Sequence, residues 1–166
     1  MSRKRAMTRS ESGTAPGSVI RPYSESEAGQ LAASWLAVFG KDRQGVNTKA
    51  FLWNIFSAQR YPCIDGEAAR AEYAKQTGAE FIVLSNDRKE AFLTERLPES
   101  VSLLDYYVFP PNLAWTMAFT HEVGWLGPYF ARHPDFARLN EANQTEWKAR
   151  LRKAREIEIA RRRGWC

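Results

Sequence analysis

Apolar residues change period along the chain. Ala28, Leu31, Ala32, Trp35, Leu36 and Phe39 recur every three or four positions, the spacing of one helix face. Ser24 with Glu27 three residues on forms a capping box, and Gly40 suits a C-terminal stop. A helix is therefore predicted over 25–39. After a polar loop at 41–48, residues 51–56 are almost continuously apolar. Periodicity alone cannot separate a buried strand from a buried helix there. With no strong turn residue between Lys49 and Gln59, a short helix from Asn47 or Thr48 is the expectation. Tyr61-Pro62-Cys63 runs extended, because proline restricts the residue before it. Asp65 is a predicted N-cap for a helix over 66–77, stopped by Gly78.

Beyond Gly78 the period falls to two. Residues 80–85 and 90–95 flank Asn86-Asp87-Arg88-Lys89 and read as a hairpin. Residues 105–109 and 114–121 flank Pro110-Pro111-Asn112, a second reversal. Trp125–Ala131 adds a fifth strand or extended segment. The polar run from Pro134 to Thr145 reads as a connection, and a final helix spans about 145–163, with Trp147, Leu151, Ala154 and Ile157 on one stripe. Helices, then a meander, then a helix predict an α+β fold: an antiparallel sheet of four to five strands, helices on one face, and a basic C-terminal helix.

Composition and charge set limits on this picture. The chain has 166 residues with six Trp, nine Phe and six Tyr, a load that excludes general disorder. Residues 1–18 are Ser-, Gly- and Arg-rich and read as a disordered basic tail, with Met7 as an alternative start. The domain is expected over 19–144 and the basic helix over 145–166. The longest apolar stretches are far shorter than the roughly 20 residues of a membrane span, and no secretory h-region follows the basic N-terminus. Two cysteines cannot build a disulfide framework, so a cytoplasmic location is expected. The formal charge of +5 is unevenly placed: residues 1–24 carry +4, residues 148–166 carry +6, and residues 25–147 carry −5. An acidic body with basic ends is not a uniformly basic nucleic-acid binder.

The densest cluster of chemically active residues is Trp115–Glu122, followed by Gly124-Trp125 and Gly127-Pro128-Tyr129-Phe130. Strand alternation would set Trp115, Met117, Phe119 and His121 on one face, with Thr116, Ala118, Thr120 and Glu122 on the other. Phe51-Leu52-Trp53-Asn54-Ile55-Phe56-Ser57, then Pro62-Cys63, then Trp115…Thr120-His121-Glu122…Gly127-Pro128-Tyr129-Phe130 resembles a family of small bacterial proteins of unknown function. That resemblance implies a small, stand-alone bacterial protein and no particular activity.

Histidine suits general acid–base work, which makes His121 with Glu122 and Cys63 the catalytic candidates. On a strand, however, His121 and Glu122 would face opposite ways. The spacings of His121, His133, Cys63 and Glu122 match no zinc pattern, and no glycine-rich phosphate loop is present. Neither a metal nor a cofactor is expected. Trp125, Tyr129 and Tyr106 are candidate contact residues for a protein partner, because aromatics beside acidic groups make strong anchors. Arg152, Arg155 and Arg162 are candidate contacts on the terminal helix, where nucleic acid is a second possible partner. The composite expectation is a non-catalytic interaction protein, of the inhibitor or immunity type. The alternatives are a hydrolase-like enzyme around His121 and nucleic-acid binding through 148–163.

Overall fold

The structure is a computed structural model that describes residues 13–122 and 124–164. In chain order its elements are β1 (Thr14–Ala15), β2 (Val19–Pro22), α1 (Glu25–Phe39), α2 (Asn54–Ser57), β3 (Ile64–Asp65) and α3 (Gly66–Ala74). They continue with β4 (Phe81–Ser85), β5 (Ala91–Thr94), β6 (Ser100–Val101), β7 (Tyr106–Phe109), β8 (Trp115–Phe119), β9 (Tyr129–Arg132) and α4 (Phe136–Arg162). The α+β antiparallel architecture is as expected. The sheet is wider than expected, with seven strands in the order β2-β5-β4-β7-β8-β9-β3. β1 and β6 form a separate pair. The additional strands are two to four residues long, too short for a period to register; each is recruited by hydrogen bonds from a distant edge.

Alternation along the central strands builds two cores. Ile82, Leu84, Tyr107, Phe109, Ala118, Tyr129 and Ala131 face α1 and α2, packing on Trp35, Phe39, Leu52 and Phe56. Phe81, Val83, Tyr106, Val108, Trp115, Met117 and Phe130 face the other way, against Ala69 and Tyr73 of α3. Helices thus cover both faces, not one. The α3 stripe is too short and too polar to announce itself in sequence.

Local chemistry explains the boundaries. Ser24 Oγ accepts from the Glu27 N–H at 3.1 Å, so the capping box starts α1. Trp35, fully buried, donates through Nε1 to Thr116 Oγ1 at 2.9 Å, tying α1 to β8. The short helix expected from Asn47 or Thr48 shrinks to α2 and starts later. Ahead of it, the Leu52 and Trp53 N–H groups donate to Asn86 Oδ1 (3.1 Å) and Tyr107 Oη (2.9 Å). Side chains satisfy this backbone, so it is buried without becoming helical. α3 ends at Ala74, earlier than expected, and Asp65 makes no side-chain cap.

The terminal helix begins nine residues before its expected start. Phe136 and Leu139 pack on the α3-side core, and Asn143 bonds Asn112 through both amide groups, at 2.9 and 3.1 Å. Tertiary anchoring overrides the weak helix propensity of the Asn-rich stretch. Within the expected tail, residues 14–15 pair with β6, while residues 1–12 lie outside the described residues.

Candidate functional site

β8 ends at Phe119, so strand alternation no longer governs the residues after it. The Thr120 hydroxyl donates to the Leu126 carbonyl. The Trp125 and Leu126 N–H groups both donate to the Glu122 carbonyl at 3.0 Å. Gly127 closes the segment with φ +79°, and a Cβ there would stand 2.9 Å from Thr120 Cγ2. Both conditions call for glycine. The result is a turn braced at both ends.

His121 leaves the face occupied by Trp115 and Met117 and crosses to the α1 side. Its Nδ1 lies 2.9 Å from each Asp105 carboxylate oxygen, and its backbone N–H donates to Asp105 Oδ1 at 3.1 Å. Trp53 Nε1 donates to the same oxygen at 3.1 Å. The Asp105 side chain is 13% exposed, so this carboxylate is a half-buried anchor with three donors. The imidazole Nε2 lies 3.4 Å from Glu122 Oε1. The hydrogen bond that His121 donates to Asp105, followed by the charges of Asp105 and Glu122, raises the His121 pKa above its ordinary value. Protonated, the ring bridges two carboxylates; neutral, it donates only to Asp105.

An aromatic bed supports the ring. Phe51 stacks on Trp53 (4.8 Å between centroids) and lies 5.3 Å from His121. Trp53 in turn stacks on Tyr129 at 6.3 Å. The 51–57 and 115–122 segments, distant in sequence, meet here. Contrary to the expectation from strand alternation, His121 and Glu122 share one site, because the chain has left the sheet before reaching them.

The other candidates separate. Cys63 is half-buried; burial first, then Asp65, pushes its thiol up to about 11, so it is protonated near neutrality. Among the described residues no hydrogen bond or ion pair joins it to His121, and it does not complete a Cys–His pair. Tyr106 and Tyr129 are buried in opposite cores and are not surface contacts, which corrects their expected role. Their rings were legible as large and apolar, but their facing depended on register. Trp125 is 83% exposed at the crest of the braced turn. Arg152, Arg155 and Arg162 stand exposed on α4.

His133 is taken up locally, its Nδ1 accepting from the Asp135 N–H at 2.8 Å at the start of α4. Among the described residues no group of three or more His, Cys, Asp or Glu side chains is arranged to hold a metal. No helix among them is long and apolar enough to cross a membrane.

Sequence reasoning missed Asp105 as the partner of His121, and Phe51 and Trp53 as its bed. A signal for Asp105 was present. A hairpin reversing at 110–112 pairs Tyr106 with Phe119, which brings Asp105 beside Thr120 and His121. For Phe51 and Trp53 no comparable local signal exists.

The fold and site define a two-core α+β domain that displays one braced aromatic turn. Residues 21–130, well over half of the chain, match the family model described as a domain of unknown function (DUF4275), and the chain belongs to that family. No curated protein and no solved structure matches it.

Proposed function

We propose that this chain is a non-catalytic interaction protein of the bacterial cytoplasm and that residues 121–122 and 124–126 form its principal contact surface. One observation carries the reading: Trp125 is 83% exposed on a turn whose ends are fixed by Thr120, Glu122 and the Asp105–His121 pair. A large apolar side chain on flexible backbone would be incidental. On a pre-ordered support it loses little entropy on binding, the property of an interface anchor. Glu122 beside it and the −5 charge of residues 25–147 suit a basic partner, as an inhibitor or immunity-type protein would meet.

The test is quantitative co-purification from an extract of the source cells. Trp125→Ala removes the partner, whereas Leu104→Ala, a control on an equally exposed residue, retains it. Retention by both folded variants overturns the assignment.

A hydrolase-like centre has one observation in its favour, the half-buried Asp105 orienting His121 Nδ1. His121 Nε2, the nitrogen such a base would use, faces Glu122, and among the described residues no Ser, Cys or Thr hydroxyl or thiol is bonded to it. Turnover of any ester or phosphodiester that disappears in a folded His121→Ala variant would favour the enzyme over the interaction reading.

A further inference from the structure

α4 is 27 residues long, and none of its residues is buried. Its first half is seated: Phe136 and Leu139 pack on the core, Asn143 bonds Asn112, and Arg150 pairs with Glu80 at 2.9 Å. Arg150 is the last residue for which such an attachment to the sheet is seen among the described residues. Beyond it Leu151, Ile157 and Ile159 are each 42–50% exposed. Residues 151–163 carry six basic and two acidic side chains.

These charges are ordered. Lys148, Arg152, Arg155, Ile159 and Arg162 succeed one another at steps of four, three, four and three, which places them on a single helix stripe about 21 Å long. Leu151 borders the same stripe, and a hollow of about 430 Å³ opens on it between Thr145, Lys148, Leu151 and Arg152. Lys148, Arg152 and Arg155 make no ion pair among the described residues. Arg162 pairs within the helix, with Glu158 at 2.7 Å.

We propose that this stripe is a second docking surface, distinct from the Trp125 turn, for an acidic amphipathic helix of a partner protein. Charge complementarity sets the sign of the partner: of the four cations in line, Lys148, Arg152 and Arg155 make no ion pair among the described residues, and the bordering Glu156 and Glu158 leave the stripe net positive. The interleaved Ile159 and adjacent Leu151 set its class. A phosphate backbone offers them nothing to bury against, whereas a helix with Glu and Leu at heptad spacing meets both kinds of group. The 4-3-4-3 spacing is that of a helix seam.

The experiment uses the full chain and three fluorescently labelled probes: a helical peptide with Glu and Leu at heptad spacing, poly-L-glutamate, and a 20-base-pair DNA duplex. Fluorescence anisotropy is expected to show the Glu/Leu peptide binding tightest. Arg152→Glu with Arg155→Glu weakens it about tenfold or more, the scale of lost interfacial charge pairs. Leu151→Ala with Ile159→Ala weakens it several-fold, from lost apolar burial. Arg152→Lys with Arg155→Lys keeps most of the binding, and circular dichroism checks that each variant retains α4. Equal binding of poly-L-glutamate, indifferent to the Leu151 and Ile159 truncations, would overturn the proposal in favour of non-specific charge attraction. Tighter binding of the duplex would overturn it in favour of a nucleic-acid surface. Binding of none of the probes would also refute it.

Discussion

Trp35 and Trp125 put the same side chain to opposite uses. Trp35 is fully enclosed, hydrogen-bonded to Thr116, and in ring contact with Phe39, Phe56 and Tyr107 at 5.2–5.6 Å. Trp125 stands in solvent, while its backbone N–H and that of Leu126 are bonded to the Glu122 carbonyl. The α1-side core gains stability from its aromatics. The turn gains none from Trp125, and its hydrogen bonds hold the backbone that carries the side chain. An exposed aromatic whose own N–H is bonded in place loses less entropy on binding a partner than one on free backbone.

The contrast can be broken at several points. Trp35→Ala should cost about 3–5 kcal/mol, the usual penalty for emptying an aromatic core site. A midpoint shift in urea denaturation checks it, and a loss below about 1 kcal/mol would contradict the packing described. Thr116→Val keeps the shape but strands the buried Trp35 N–H, with an expected loss of about 1–3 kcal/mol in the same measurement.

The His121 link should produce a smaller, pH-dependent effect. Because its folded pKa is raised, protonation favours the folded state. The contribution is complete below the ordinary histidine value of about 6.5, and it is lost as pH rises through the raised value. Denaturation across pH 5.5–8.5, roughly the range bracketing that value, should show stability declining with pH in the wild type. The same decline should be missing in His121→Asn. Trp125→Ala comes last, with a stability change within about 0.5 kcal/mol, as for an exposed side chain. A large loss there would make the turn structural.

How far the sequence reveals this contrast depends on the range of the interactions. α1 was legible to the residue, because a capping box and a helical stripe are local signals. The two hairpins around β4–β5 and β7–β8 were legible for the same reason. The second core was not: α3 contributes only Ala69 and Tyr73 to it, and β2 and β3 are defined by partners far along the chain. Within the site, His121, Glu122 and Trp125 stood out as residue types. Their arrangement did not, because strand alternation stops at the end of β8, two residues before His121. Tyr129 shows the converse error: an aromatic expected at the surface is buried under Trp53 by the register of β9.

The central claim is that the braced turn, and Trp125 in particular, touches the partner. Site-specific photo-crosslinking in the source cells tests it directly, with the crosslinking amino acid placed at 125 in one strain and at 104 in another. A discrete protein adduct is expected from position 125 and none from position 104. Adducts of equal yield from both positions, or from 104 alone, would contradict the claim.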